Sequence, residues 1–220
     1  MDAYSDVIRR VRLFRGIGEE ERGGMFGCLG ARVRSFAAGE AILLAGDPPD
    51  RVGVLLDGRA SVVREDAAGV RTLVAGLGPG DLFAELFACA EAEALPVSVF
   101  AVTAAAVLFL DYRKIVRSCP SACPFHARLV ENMLAVVAEK ALFLNRRLGH
   151  LSQRTTREKL LSYLAEQAER AGSRTFAIPF NRQELADYLC VERSAMSAQL
   201  GKLRDEGILR FQGSRFELLV

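Results

Sequence analysis

The stretch from Asn181 to Ser197 holds the side chains of this chain best suited to recognition chemistry. Two helical patterns, Arg182 to Leu189 and Ser194 to Asp205, stand about four residues apart, which is the spacing of a helix-turn-helix. Leu185, Ala186, Leu189, Val191, Met196, Leu200 and Leu203 fall where two such helices bury against each other, leaving Glu192, Arg193, Ser194, Ser197 and Gln199 outward. Arg193 suits a bidentate contact to guanine, worth roughly 1–3 kcal/mol of base discrimination. Ser194 and Ser197 let a backbone come close enough to reach bases or phosphate. Asn181 is placed to cap the first helix, Arg182 to reach phosphate, and Gln183 and Glu192 to complete the polar face offered to DNA. Solvated surface is the plainer account of such residues. Against it, exposed serines and an arginine at a helix start are poor choices where only helix stability is needed.

A second chemistry is that of sulfur. There are five cysteines, an odd number, behind an acidic, polar start (Met1 to Asp6) that does not resemble a secretory leader. That pattern predicts reduced thiols in a cytoplasm rather than a disulfide framework. Cys119 and Cys123 are spaced to share a helical face, although Pro120 and Pro124 interrupt a regular helix; Cys28 and His126 are weighed with them as nearby in sequence terms. An iron–sulfur cluster takes about four thiolates. Cysteine as small apolar filler is the favoured reading. A redox, haem or metal role at Cys89, Cys119 and Cys123 stays open beside it, with no metal site assigned. Cys190, ending the first recognition-pair helix, reads as packing. The two histidines, His126 and His150, have no convergent nucleophile or metal-ligand spacing near them, so the chain does not read as an enzyme.

The elements that must position these groups change character along the chain. Between Ala31 and Tyr112, strand-length segments at Val33–Phe36, Ala41–Leu44, Val52–Leu56, Ala60–Arg64, Arg71–Ala75, Val97–Thr103 and Val107–Leu110 alternate with turns such as Gly46-Asp47-Pro48-Pro49 and Asp57-Gly58. Short strands at regular turn spacing predict a small sandwich or barrel. The segment before Ala31 reads as helical, frayed by glycines. After Pro124, Val130, Leu134, Val137, Ala141, Leu144, Leu148 and Leu151 recur in alternating steps of four and three, a heptad seam. A helix packed on its own domain would also show it, but a long helix joining two compact regions favours pairing with its copy. Thr155–Ala171 is amphipathic, with Gly172 beyond its end. Thr175–Ile178, the two recognition-pair helices, and a hairpin around Gln212-Gly213-Ser214 follow. Helix, strand, helix-turn-helix and hairpin make a winged helix-turn-helix.

With 220 residues and a net charge of +2, the chain suits two domains, and bulk charge does not announce nucleic acid. The most apolar stretch, Val97 to Leu110, is shorter than the roughly 20 residues of a membrane helix, so no membrane is expected.

The whole pattern resembles the Crp/Fnr superfamily of bacterial transcription regulators. The glycine-punctuated strands, Gly80-Asp81-Leu82-Phe83-Ala84-Glu85-Leu86, the long helix and Asn181-Arg182-Gln183-Glu184-Leu185-Ala186-Asp187-Tyr188-Leu189 carry the resemblance. It implies an α+β chain: a β-roll sensor domain (cupin-like, 1–123), a long dimerisation helix with hinge (124–151) and a winged helix-turn-helix (152–220). It also implies a homodimer on a pseudo-palindromic double-stranded operator, and RNA polymerase as partner of an activator. Its phosphate cassette implies the Glu85 position for ribose, but Ala84 replaces a glycine and Leu95-Pro96 stands where an Arg-Ser pair neutralises the cyclic phosphate. Cyclic AMP is therefore disfavoured. Haem, an iron–sulfur cluster or a small-molecule effector stays open, although the N-terminal cysteine cluster of the oxygen-sensing relatives is absent. Leu82, Phe83, Glu85, Leu86, Pro96, Val97 and Ser98 are the candidate effector-pocket residues, and roll filler is the equal alternative. Ser194 and Ala198 differ from the residues many members carry there, so the operator should differ from the usual family sites. The other readings are an effector-binding adaptor whose winged domain contacts protein, or a cyclic-nucleotide-responsive regulator.

Overall fold

The computed structural model describes residues 2–66, 68–116 and 123–219. They divide into two compact units, Met1–Ala138 and Glu139–Val220, and the division falls inside the long helix. Cys119 lies outside the described residues.

The first unit begins with α1 (Ser5–Arg10) and α2 (Glu19–Cys28), each preceded by a short 3-10 turn or loop. Strands β1 (Arg32–Phe36), β2 (Ala41–Leu43), β3 (Arg51–Asp57), β4 (Ala60–Glu65) and β5 (Arg71–Leu77) follow. Then come β6 (Leu82–Phe83), α3 (Glu85–Cys89), β7 (Ser98–Ala101), β8 (Ala105–Asp111) and α4 (Tyr112–Val116). The strands form two antiparallel four-stranded sheets, ordered β1-β8-β3-β6 and β2-β7-β4-β5. Together they are the expected β-roll. Residues from both sheets, among them Phe36, Leu55, Val99, Val107 and Phe109, make one core, with Phe83 edge-on to Phe109 at 6.4 Å. The other face of the first sheet supplies Val52, Val54, Leu56, Leu108 and Leu110 to a second core shared with Leu13, Phe14, Met25 and Leu29 of the N-terminal segment. Burial on both faces explains why β3 and β8 read as continuous apolar runs rather than alternating ones.

Helix α5 (Phe125–Leu151) carries two apolar stripes. Phe125, Leu129, Met133 and Val136 are buried in the second core of the roll unit. Asn132 fixes that face by donating its amide N–H groups to the carbonyl oxygens of Leu13 and Arg15, each at 2.9 Å. The second stripe is the predicted seam. Val130, Leu134, Leu144 and Leu148 are exposed, Leu134 at 69% and Leu148 at 65%, and Ala141 is exposed with them. Val137 is half-buried and also touches the core of its own unit.

The substitution in the cassette has a backbone consequence. Ala84 caps α3 at φ +65°, the left-handed region that an L side chain enters at a cost of about 1–2 kcal/mol and glycine does not. Ala84→Gly should therefore raise the urea midpoint, reflecting about 1 kcal/mol of added stability once the extra freedom of the unfolded glycine is subtracted. An unchanged or lowered midpoint would mean that the alanine methyl has compensating contacts.

The second unit contains the end of α5, α6 (Thr156–Ala171), β9 (Thr175–Ala177), α7 (Arg182–Leu189), α8 (Arg193–Asp205), β10 (Leu209–Gln212) and β11 (Arg215–Leu218). The strands form an antiparallel sheet ordered β10-β11-β9, so the terminal hairpin is a wing. Helix α6 starts in a capping box between Thr155 and Glu158 and stops at Gly172, which is left-handed at φ +59°. Leu160, Leu164, Leu185, Leu189, Met196, Leu200, Leu203 and Phe216 form its core. Among the described residues no helix is long and apolar enough to cross a membrane.

Candidate nucleic-acid interface

Asn181 is the N-cap of α7. Its side-chain oxygen accepts from the backbone N–H groups of Gln183 (2.9 Å) and Glu184 (3.0 Å), and Glu184 answers by accepting from the Asn181 N–H at 2.8 Å. This capping box orients the helix that supports the reader, so Asn181 works through the backbone first. Gln183 is exposed and donates to Asp187 at 2.9 Å. Arg182 differs from expectation: its guanidinium lies over the wing rings of Phe211 (4.7 Å) and Phe216 (5.1 Å). It is half-buried there, and burial lowers its pKa. Arg182 thus braces the wing against α7, with its stem and ring-facing surface committed.

The turn into α8 passes through Cys190. The sequence placed this thiol in packing; the structure corrects that. Cys190 is exposed, with φ +50°, because the tight connection needs a left-handed residue where α7 stops. Cys190→Gly should stabilise the unit by about 1 kcal/mol in thermal unfolding; a loss would show that the thiol holds the turn.

Helix α8 then presents its N-terminus. Met196, Leu200 and Leu203 face the core, and Arg193, Ser194, Ser197 and Ala198 are exposed, with Gln199 half-buried. Glu192 makes no side-chain cap, so the first N–H groups of α8 remain for solvent or phosphate. Arg193 has no ion pair among the described residues. An extended cation, two hydroxyls and a helix N-terminus on one face match what a major groove requires.

Several supporting residues escaped the sequence reading. Arg147, from the last turns of α5, donates through Nε to the Tyr188 carbonyl at 3.0 Å and through a terminal nitrogen to Asp187 at 3.3 Å. His150 is buried, with Nδ1 2.9 Å from the Ser162 hydroxyl and Nε2 2.9 Å from the Glu166 carboxylate. Arg146 approaches the same carboxylate at 3.2 Å. These contacts tie the end of α5 to α6 and α7. Only the amphipathic pattern of α5 pointed that way, because polar partners 12 to 41 positions away leave no periodic signal. At the far end of α8, Arg157 makes a bidentate pair with Glu206 at 3.0 and 2.5 Å, holding that carboxyl below its ordinary pKa.

The candidate effector residues are divided between two cores of the roll unit. Leu82 is buried in the core beside the N-terminal helices, while Phe83 fills the roll interior. A β-carbon on Gly53 would fall 2.2 Å from the Phe83 ring, so glycine there is what lets this phenyl lie inside. Glu85 and Val97 are buried, Leu86 and Ser98 are half-buried, and Pro96 is exposed. Leu95, at the Arg-Ser position, is buried and pairs through its backbone with Gly46 and Asp47. A surface cleft of about 670 Å³ opens elsewhere, lined by Arg32, Arg34, Asp50, Arg51, Arg113 and Lys114 among others. Of the cysteine candidates, Cys89 is half-buried beside Tyr112; burial raises its thiol pKa, and Tyr112 is itself pushed up to about 12.

A β-roll, a long helix and a winged helix-turn-helix are the parts of a DNA-binding regulator. Residues 33–119 match the family described as cyclic nucleotide-binding domain, and residues 158–219 match the Crp-like helix-turn-helix domain. The transcriptional activator protein FnrL of Cereibacter sphaeroides is 26% identical over 197 residues, covering 83% of this chain and 74% of that protein. A CRP-like cAMP-activated global transcriptional regulator of Mycobacterium tuberculosis is 21% identical over 213 residues, covering 94% and 92%. In fold, the chain is similar to the c-di-GMP responsive global regulator CLP of Xanthomonas campestris, with a TM-score of 0.60 at 16% identity, covering 92% of this chain and 100% of that one. The chain belongs to the Crp/Fnr superfamily of DNA-binding transcription regulators.

Proposed function

We propose that the protein acts as a homodimer, paired along α5, that reads a pseudo-palindromic operator with one α8 from each subunit. The observation that carries this reading is the exposed seam. Val130, Leu134, Ala141, Leu144 and Leu148 stand in solvent on a helix whose neighbouring stripe, Phe125 to Val136, is already buried. Apolar residues repeated at heptad spacing on a bare helix face fit a second copy of that face. Arg193 reads a base, Ser194 and Ser197 contact bases or phosphate, and Gln183, Glu192 and the Asn181-capped end of α7 line the approach. A cytoplasmic location, and RNA polymerase as partner where the protein activates, belong to the same reading.

The signal is a small molecule or a redox event at the roll unit, and not cyclic AMP. Leu95 and Pro96 supply no charge or donor side chain for a cyclic phosphate, and a phosphate held without one is heavily penalised. An effector needs only unequal affinity for two arrangements of the dimer to change its DNA affinity.

Binding to a library of fragments from the source genome tests this. The expected result is preference for particular upstream fragments, with affinity falling steeply as salt rises. Equal binding to all fragments, or none, would overturn it in favour of an adaptor role.

A further inference from the structure

We propose that Cys28, Cys123 and His126 form a binding site for a thiophilic divalent cation, zinc above all, at the head of α5. Cys28 ends α2, Cys123 precedes α5 and His126 lies in its first turn, all within the roll unit. The two sulfurs and a ring nitrogen of His126 lie within 4.8 Å of one another. Nothing in the spacing of 28, 123 and 126 announces this; the fold of the N-terminal helices against α5 creates it.

The imidazole is already set up as a ligand. Its Nε2 lies 3.1 Å from the Lys114 carbonyl oxygen, which can only accept, so Nε2 carries the proton. The lone pair is then on Nδ1, which is buried and has no hydrogen-bond partner among the described residues. The ring is held by stacking on Phe125 at 4.8 Å. Metal-binding histidines commonly donate their second ring N–H to a backbone carbonyl in this way. A buried lone pair left without a partner is unfavourable, and a cation removes that penalty.

Charge and size agree. Two thiolates cancel a divalent charge, which suits a half-buried site. Zinc bonds of about 2.3 Å to sulfur and 2.0–2.1 Å to nitrogen place tetrahedral donors roughly 3.5–3.8 Å apart. The present spread closes to that with a shift of about 1 Å. Three protein ligands leave a fourth position for water or another donor. With two thiolates and one imidazole the set falls short of the roughly four thiolates of an iron–sulfur cluster. The rival is a Cys28–Cys123 disulfide, which uses both sulfurs and leaves the imidazole idle.

The test reads metal binding directly and involves no DNA, so it stands apart from the operator reading. Reduced, metal-free full-length protein is titrated with cobalt(II) as a coloured probe. The expected result is stoichiometric growth of thiolate-to-cobalt charge-transfer absorption with the strong visible bands of a four-coordinate ion, both erased by zinc. The double variant Cys28→Ser/Cys123→Ser should lose the charge transfer, His126→Gln should weaken binding at least roughly 100-fold, and Cys89→Ser should change nothing. Because the double variant could misfold, alkylation of the wild-type chain followed by peptide mass analysis supplies an independent reading. Zinc should protect Cys28 and Cys123 while leaving the exposed Cys190 as reactive as before. Absence of charge transfer in the reduced wild type, its survival in the double variant, no selective protection, or a disulfide whose reduction yields no cobalt uptake would each overturn the proposal.

Discussion

Leu134→Glu is expected to turn the protein into a monomer without unfolding it. Leu134 is 69% exposed and lies outside its own unit's core, so a carboxylate there meets water in the single chain. In a paired seam the same carboxylate would face its own copy in an apolar layer. The dimer would then lose the roughly 1.5–3 kcal/mol of each buried leucine and gain a charge whose burial costs several kcal/mol more. Light scattering should report the monomer mass, and circular dichroism an unchanged helix content. Affinity for the operator should fall roughly 10²–10⁴-fold, because the second reading head no longer arrives with the first. Val137 is the less discriminating choice: it also packs on the core of its own unit, so a charge there would damage the fold and the pairing together. A Leu134→Glu protein that keeps the mass of the wild type would return α5 to a role within one subunit.

Arg193→Ala should cost about 1–3 kcal/mol in each half-site, roughly 5- to 150-fold in affinity per half-site, and nearly nothing on unrelated DNA. Discrimination should relax at one base position in each half-site. The side chain is exposed and unpaired among the described residues, and the recognition helix is held by Met196, Leu200 and Leu203, so stability should not change. Arg182→Ala provides the contrast. It should weaken all sequences alike and also lower the melting temperature, since its guanidinium covers Phe211 and Phe216. Selections against randomised half-sites would separate the two; the same relaxation in both variants would contradict the roles given to them.

Local and periodic features of this chain were plain in the sequence. Helix α7 spans Arg182–Leu189 as its apolar spacing and the Asn181–Glu184 cap require, and α8 begins one residue before its predicted start. Seven strand segments appeared where alternating or continuous apolar runs met turn residues. The two-residue β6 and five-residue α3 were too short to leave a period, and they exist because the roll covers Leu82 and Phe83. Sequence also could not place side chains that answer to distant partners. Arg182 became a brace once the wing folded back on it. Cys190 left the core because a turn geometry outranked its apolar character. Cys28 and His126 met only through packing of α2 and α5.

The central claim is that two copies of α8 read one symmetric operator. A hydroxyl-radical footprint of the purified protein on its preferred upstream fragment tests it most directly. The account predicts two protected half-sites related by a two-fold axis, their centres roughly 34–36 Å or a multiple of that apart, appearing together as protein is added. A single protected half-site, filled at the same concentration by the wild type and by Leu134→Glu, would contradict it.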